Sequence, residues 1–317
     1  MTDLKFTIYT RDGIANKIPR GKSVMALGVF DGVHIAHRQL LLAAMGLGQR
    51  LSAENIGAWC FDVTPSGVVD GVDVPMLSTL EDKIHMMLSL GLDFVAVGDF
   101  QSFRHVGAEV FIESFLKEEL GCIGVACGFN HRFGHRGVGT PEMLSLAFGD
   151  DAVEILPEVT HKGRTVSSSA IRTLITSGDV ETAYEMLGRA FALRTIVVRG
   201  KRLGRQLGFP TANQYFPESC VIPAHGIYAT RCITEDGDCY VGISNVGVRP
   251  TITDGSDDHR TNCETYIHGF SDDLYGKNLT VEFCKYLRGE QKFASVNDLK
   301  SQIEKDLQAA LEYFGEA

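Results

Sequence analysis

Over the first 187 positions, apolar residues recur with two alternating periods. Short unbroken runs, "SVMALGVF" (23–30), "DFVAVG" (93–98) and "CIGVACGF" (122–129), read as buried strands. Between them the spacing turns helical. Leu40, Ala44, Leu47 and Leu51 share one face, as do Ile84, Met87 and Leu88. A third helix, closed by Gly121, turns Val110, Phe111, Phe115 and Leu116 inward. Ser78 and Glu81 form a capping box for the middle helix, and Gly91 can close it. Such alternation predicts a mostly parallel sheet with helices on its faces, which binds ligands beyond the carboxyl ends of its strands.

After residue 187 the helical period disappears. "LRTIVVR" (193–199), "GIYATRCI" (226–233), "CYVGISNVG" (239–247), "NCETYIHGF" (262–270) and "LTVEFCKYL" (279–287) are strand candidates joined by turn-rich loops such as "TEDGD". They predict an antiparallel β-barrel or sandwich. A terminal helix follows, with Leu299, Ile303, Leu307, Leu311 and Phe314 as its apolar stripe. The change of period between 185 and 192 divides the chain into a domain over 1–187 and a second over 188–317.

Composition narrows the picture. The 317 residues carry a formal charge of −10, which disfavours a general nucleic-acid binder. No signal-peptide pattern and no bilayer-length apolar run are present, so a soluble cytoplasmic protein with no membrane partner is expected. The eight cysteines include no C-x-x-C pair and sit in strand-like runs, so reduced, mostly buried thiols are expected.

Candidate chemistry gathers at three stretches. "GVFDGVHIAHRQL" (28–40) joins a strand to a helix, and the free N–H groups and dipole of a helix start hold phosphate. His34 and His37, one turn apart, can donate to the oxygens on which charge gathers during phosphoryl or nucleotidyl transfer. "VSSSAIR" (166–172) offers a serine-rich helix start with an arginine one turn on, suited either to phosphate or to plain capping. In "GKRLGRQLGFPTANQ" (200–214), glycines let backbone N–H groups wrap phosphates, and Thr211 and Asn213 can present oxygen to Mg²⁺. The polar loop 251–262 reads as a flap.

These stretches resemble the bacterial bifunctional FAD synthetases, enzymes that phosphorylate riboflavin to FMN and then transfer AMP from ATP to FMN. "GVFDGVHIAHRQLL" is similar to the G-x-F-D-G-x-H-x-G-H signature of the nucleotidyltransferase half, "GFNHRFGHRGVGTPEML" (128–144) to its second loop, and "VSSSAIRTLITSGDVETAYEMLGR" (166–189) to its third segment. "GKRLGRQLGFPTAN" resembles the riboflavin kinase signature, and 263–293 its closing segment. The resemblance implies a Rossmann-like nucleotidyltransferase α/β domain followed by an antiparallel riboflavin kinase β-barrel with a terminal helix. It also implies Mg²⁺ as cofactor and riboflavin, FMN and ATP as small-molecule partners.

Carried over by residue, the resemblance makes His34, His37 and Glu264 catalytic. Gly28, Phe30, Asp31, Gly32, Asn130, Ser168 and Arg172 are expected to bind nucleotide or phosphate. Gly200, Gly204, Arg205, Gly208 and Pro210 do so in the second half. Thr211 and Asn213 are expected at the metal, and Arg288, Glu290 and Phe293 at the flavin. The chain departs from the family pattern at Ala36, where glycine is usual, at His131, where an aromatic is usual, and around 60–70. Two alternatives follow: a riboflavin kinase whose first half is inactive or redirected, or a non-catalytic flavin-binding regulator.

Overall fold

The computed structural model describes residues 4–15, 17–71, 73–200, 204, 208–248 and 260–316. Its contacts fall into two compact units, Met1–Ser168 and Ser169–Ala317.

The first unit is built on seven strands: β1 (Phe6–Thr10), β2 (Gly13–Ala15), β3 (Ser23–Leu27), β4 (Asn55–Phe61), β5 (Phe94–Gly98), β6 (Cys122–Gly128) and β7 (Val153–Leu156). They lie in the order β2-β1-β5-β4-β3-β6-β7. The five from β5 to β7 are mutually parallel, and β1 joins β5 antiparallel. The chain enters at the centre with β3, adds β4 and β5 on one side, then crosses to place β6 and β7 on the other. That reversal makes the carboxyl ends of β3 and β6 a topological switch point, where open α/β sheets bind ligands.

All five residues of β3 are buried, as its unbroken apolar run implies. Its side chains alternate between two cores. Met25 and Leu27 pack with Trp59, Phe94 and Phe115 on one face, and Val24 and Ala26 with Ala58, Leu41 and Met87 on the other. The helices that supply these layers include α1 (Ile35–Leu51), α3 (Leu80–Ser89), α4 (Phe100–Phe103), α5 (Ala108–Val110) and α6 (Pro141–Phe148), while α2 spans Pro65–Asp70.

Two local expectations shift. The cap of α3 is Thr79, whose hydroxyl accepts from Asp82 N–H, one residue later than the Ser78–Glu81 box. That start turns Lys83, Ile84, Met87 and Leu88 inward together. Val110 is 52% exposed, while Phe111, Ile112, Phe115 and Leu116 are buried. Here α5 runs into a π-helix over Phe111–Glu119, and Ile112 joins the inward face in place of Val110.

The second unit opens with α7 (Ser168–Ser177) and α8 (Val180–Leu187), followed by β10 (Phe191–Ile196), β11 (Thr211–Tyr215), β12 (Gly226–Thr234), β13 (Cys239–Val248), β14 (Thr261–Ile267) and β15 (Asn278–Arg288). A short hairpin, β8 (Thr160–His161) with β9 (Arg164–Thr165), precedes them in the first unit. The six strands from β10 to β15 form an antiparallel sheet in the order β10-β15-β12-β13-β14-β11. Its edges curl together, since Val198 N–H donates to Asn213 O at 2.8 Å. The fully buried Gln214 amide then donates to Thr195 O and Leu279 O, each at 2.8 Å.

Helix α8 packs on β10 and β15. Ala224 N–H donates to Ile175 O, tying α7 to the same unit. The terminal helix α9 (Val296–Phe314) sets Ile303, Leu307, Leu311 and Phe314 against Ala229, Val241 and Ile243.

All eight cysteines are free, and burial pushes the Cys122 and Cys127 thiols up to about 12. Among the described residues no helix is long and apolar enough to cross a membrane.

Candidate active sites

Residues 28–37 leave the carboxyl end of β3 and enter α1 through a strained turn. Phe30 (φ 55°) and Val33 (φ 39°) are left-handed, as is Gly32 (φ 75°). A β-branched residue in that region is uncommon and costly, and such strain gathers at functional sites. Asp31 is buried and tethers the turn: its Oδ1 accepts from Leu77 N–H at 2.8 Å, and its carbonyl accepts from Ser168 Oγ at 3.0 Å.

His34 caps α1, with Nδ1 accepting from His37 N–H at 3.3 Å. With Nδ1 accepting, Nε2 is the ring nitrogen of His34 left to donate. The His37 ring stacks on His34 at 3.6 Å between centroids and packs against Phe30. Burial first, then the nearby His34 and Lys83 charges, holds His37 well below the ordinary histidine range, so the His37 ring is a neutral donor.

Lys83, on α3, was not singled out by the sequence. It is completely buried, and its Nζ donates to the carbonyls of Phe61 (2.9 Å) and Val29 (3.3 Å), at the ends of β4 and β3. Its only sequence signal is a lysine on the apolar face of an amphipathic helix, in phase with Met87.

Asn130 follows the carboxyl end of β6, the strand next to β3, in an exposed turn. The neighbouring His131 stacks on Phe133, with centroids 5.8 Å apart. Desolvation lowers its pKa to about 4, so an uncharged ring fills the place where an aromatic is usual. Ala36 lies half-buried in the first turn of α1. The structure thus gathers Gly28, Phe30, Asp31, Gly32, His34 and His37 in one turn and ties Ser168 to it. Arg172 belongs to the second unit, where it donates to Ser169 Oγ at 3.3 Å.

In the second unit Glu264 sits at the centre of a register grid. Asn213 on β11 and Asn245 on β13 lie directly opposite it on either side. Two residues along one way, Thr211 and Ile243 flank Tyr266; the other way, Tyr215 and Gly247 flank Asn262. Directly opposed antiparallel residues project to one face, so this grid is a single surface. Asn262 Nδ2 donates to Glu264 Oε1 at 3.1 Å.

The surface borders a cavity of about 410 Å³ lined by Thr211, Asn245, Glu264, Tyr266, Arg288, Glu290 and Phe293. All three expected flavin residues therefore reach the same space as Glu264. Helix α9 adds Leu299, Ile303 and Asp306 to the wall. Arg288 is held there by a bidentate bond to the buried Asp306 carboxylate, Nη2 at 2.6 Å and Nε at 2.9 Å, and lies over the Phe293 ring. Gly247 leaves room for Glu290, since a Cβ at 247 would lie 2.3 Å from its carboxylate oxygen.

Glycines shape the β11 side. A Cβ at Gly200 would lie 2.6 Å from Asn213 Nδ2, and one at Gly204 would lie 2.3 Å from Phe209 O. Gly208 takes φ 87° in the turn before Pro210. Arg205 and positions 251–259 of the expected flap lie outside the described residues.

Among the described residues Asn213 Oδ1, buried beside Glu264, has no hydrogen-bond partner. With the Thr211 hydroxyl it gives a hard-oxygen donor set that suits a divalent cation completing its shell with phosphates and water. Among the described residues no cluster of three His, Cys, Asp or Glu is placed to hold a metal.

Residues 17–170 match the family model described as FAD synthetase, and residues 187–314 match that described as riboflavin kinase. The chain is 33% identical to a bifunctional riboflavin kinase/FMN adenylyltransferase of Bacillus subtilis, covering 94% of each protein. It is 34% identical to that of Haemophilus influenzae (95% of this chain, 96% of the relative) and 32% to that of Escherichia coli K12 (96% and 97%). A crystal structure described as a macrolide-efflux protein from Streptococcus pneumoniae superposes with a TM-score of 0.84 at 26% identity, over 93% of this chain and 95% of that one.

Proposed function

The chain belongs to the bifunctional riboflavin kinase/FMN adenylyltransferase family, and from that premise we propose how its residues divide the two ATP-dependent activities. Adenylyl transfer is assigned to 1–187 and riboflavin phosphorylation to 188–317. In the first, the helix start at β3 takes the ATP phosphates, with Gly28, Phe30, Asp31 and Gly32 shaping the turn. His34 and His37 donate to the phosphoryl oxygens as negative charge builds there while a phosphate oxygen of FMN attacks the α-phosphorus of ATP and pyrophosphate leaves. No covalent enzyme intermediate is needed, because placed donors lower the barrier by stabilising that charge. Asn130 and Ser168 complete the nucleotide contacts.

In the second, Glu264 accepts the proton of the terminal ribityl hydroxyl as that oxygen attacks the γ-phosphorus of ATP, and ADP leaves. Thr211 and Asn213 would hold Mg²⁺, which when bound neutralises charge on the phosphates. Gly200, Gly204, Arg205, Gly208 and Pro210 shape the phosphate loop, and Arg288, Glu290 and Phe293 border the ring of the flavin. The reading is carried above all by Glu264, which shares one cavity with a metal-type oxygen donor on β11 and the expected flavin residues. ATP as co-substrate and reduced thiols suit a cytoplasmic location.

The test is a chromatographic time course with riboflavin, ATP and Mg²⁺. FMN is expected first, then FAD. Glu264→Gln should stop FMN formation, and the double change His34→Ala, His37→Ala should stop FAD formation from added FMN while phosphorylation continues. Undiminished kinase turnover in the Glu264 variant, or loss of both activities in the histidine variant, would sink the assignment.

A further inference from the structure

The two sides of Glu264 are unlike. On the β11 side the backbone of Gly200 presses on Asn213, and Gly204, Phe209 and Thr211 line the cavity. Close backbone approach of that kind suits phosphate. On the β13 side Gly247, two residues along from Asn245, makes room for the Glu290 carboxylate, and the wall continues into Arg288 and Phe293. That asymmetry suits a flavin ring toward β13 and phosphates toward β11, with the reacting oxygen at Glu264 between them.

Asn245 is the neighbour of Glu264 on the flavin side. Adjacent strands lie about 4.8 Å apart, so the two side chains reach toward points one short carbon unit apart. Among the described residues the Asn245 Oδ1 has no hydrogen-bond partner, although it is buried and its residue lines the cavity. Buried amide oxygens are almost always satisfied, and one left unpaired in a residue that lines the cavity meets a ligand donor once the amide turns toward that space. Riboflavin offers such donors in its polyol chain, which must pass Asn245 to bring its terminal oxygen to Glu264.

We infer that Asn245 accepts a hydrogen bond from the ribityl hydroxyl adjacent to the one that is phosphorylated, and so sets the reach of the chain toward the base. The assignment rests on Glu264 being that base. Asn213, with the same unpaired oxygen, faces the phosphate side instead. Asn262 acts on Glu264 itself through its 3.1 Å bond. Asn245 is thereby the polar residue that distinguishes a hydroxylated chain from a bare ring.

The full-length enzyme is assayed as wild type, Asn245→Ala and Asn245→Asp. The ligands are riboflavin, its 4′-deoxy analogue, and lumiflavin, whose ring carries a methyl group in place of the chain. Asn245→Ala should raise KM for riboflavin roughly tenfold, about the worth of one such hydrogen bond, with a smaller change in kcat. Inhibition by lumiflavin should stay unchanged, and Asn245→Asp, which keeps an oxygen acceptor, should recover part of the loss. Wild type should discriminate against the 4′-deoxy analogue by a similar factor, and Asn245→Ala should not.

Equal weakening toward riboflavin and lumiflavin would make Asn245 a wall of the ring pocket and overturn the inference. So would wild-type enzyme that treats the 4′-deoxy analogue like riboflavin, an outcome that needs no variant to fold. Full turnover by Glu264→Gln would instead remove the base, a failure seen independently of any result at position 245.

Discussion

Gln214→Leu tests how closure of the barrel supports the kinase site. The Gln214 amide donates to Thr195 O and Leu279 O at 2.8 Å each, and to Thr195 Oγ1 at 3.1 Å. Leucine nearly matches its volume but leaves two interior carbonyls without that donor. Each orphaned group costs about 1–3 kcal/mol, so the second unit should lose roughly 2–5 kcal/mol, offset in part by the removal of Gln214 Oε1, itself unpartnered. With a urea m-value of about 2 kcal/mol/M, the midpoint should fall by roughly 1–2 M.

Trp59 is the only tryptophan and lies in the first unit, so near-ultraviolet circular dichroism of the tyrosines in the second is the appropriate signal. Thr211 and Asn213 precede Gln214 on β11, so riboflavin turnover should fall well before the unfolding midpoint. A midpoint within about 0.3 M of wild type would refute the claim that this amide closes the barrel.

Lys83→Met should lower FAD formation from FMN by roughly tenfold or more, because the histidine turn loses the cation anchoring Val29 and Phe61 carbonyls. It should also move the acid limb of the pH–rate profile upward, since the Lys83 charge helps depress His37; an unshifted limb would leave Lys83 a purely structural residue. His131, at about 4 when folded, binds its proton more readily when unfolded, so its contribution is intact above about pH 6.5 and drains as pH falls toward 4. His131→Phe should therefore lose less stability between pH 7 and 5, read by Trp59 fluorescence, and an equal loss would contradict the neutral-ring account. Ala36→Gly is expected to lower KM for ATP in adenylyl transfer, at a helix cost of about 0.5–1 kcal/mol; an unchanged KM would show that the methyl group is harmless.

The alternating periods of the first half foretold β3, β5, β6 and the helices between them, because a strand buried on both faces must be apolar throughout. The five strand runs of the second half were legible for the same kind of reason. β11 was not. Its residues "TANQY" are polar, and they form a strand because Gln214 and the Val198–Asn213 bridge bind that edge to the opposite one. The Thr79 cap and the π-helical turn that exposes Val110 also escaped the sequence, since each is settled by which face the neighbouring core accepts.

The chemistry divides the same way. Residue identity and spacing pointed to His34, His37, Thr211 and Asn213, and the family resemblance added Glu264, because their motifs are local in the chain. The strand order that sets the β3 turn beside the end of β6 is decided by long-range pairing. So are the burial that neutralises His37, the cation of Lys83 beneath its turn, and the register that brings Asn213, Glu264 and Asn245 side by side. The sequence determined which groups the protein has for two phosphorus-transfer reactions. Only the tertiary structure decided which of them meet, what water they lose, and therefore in which protonation state they wait.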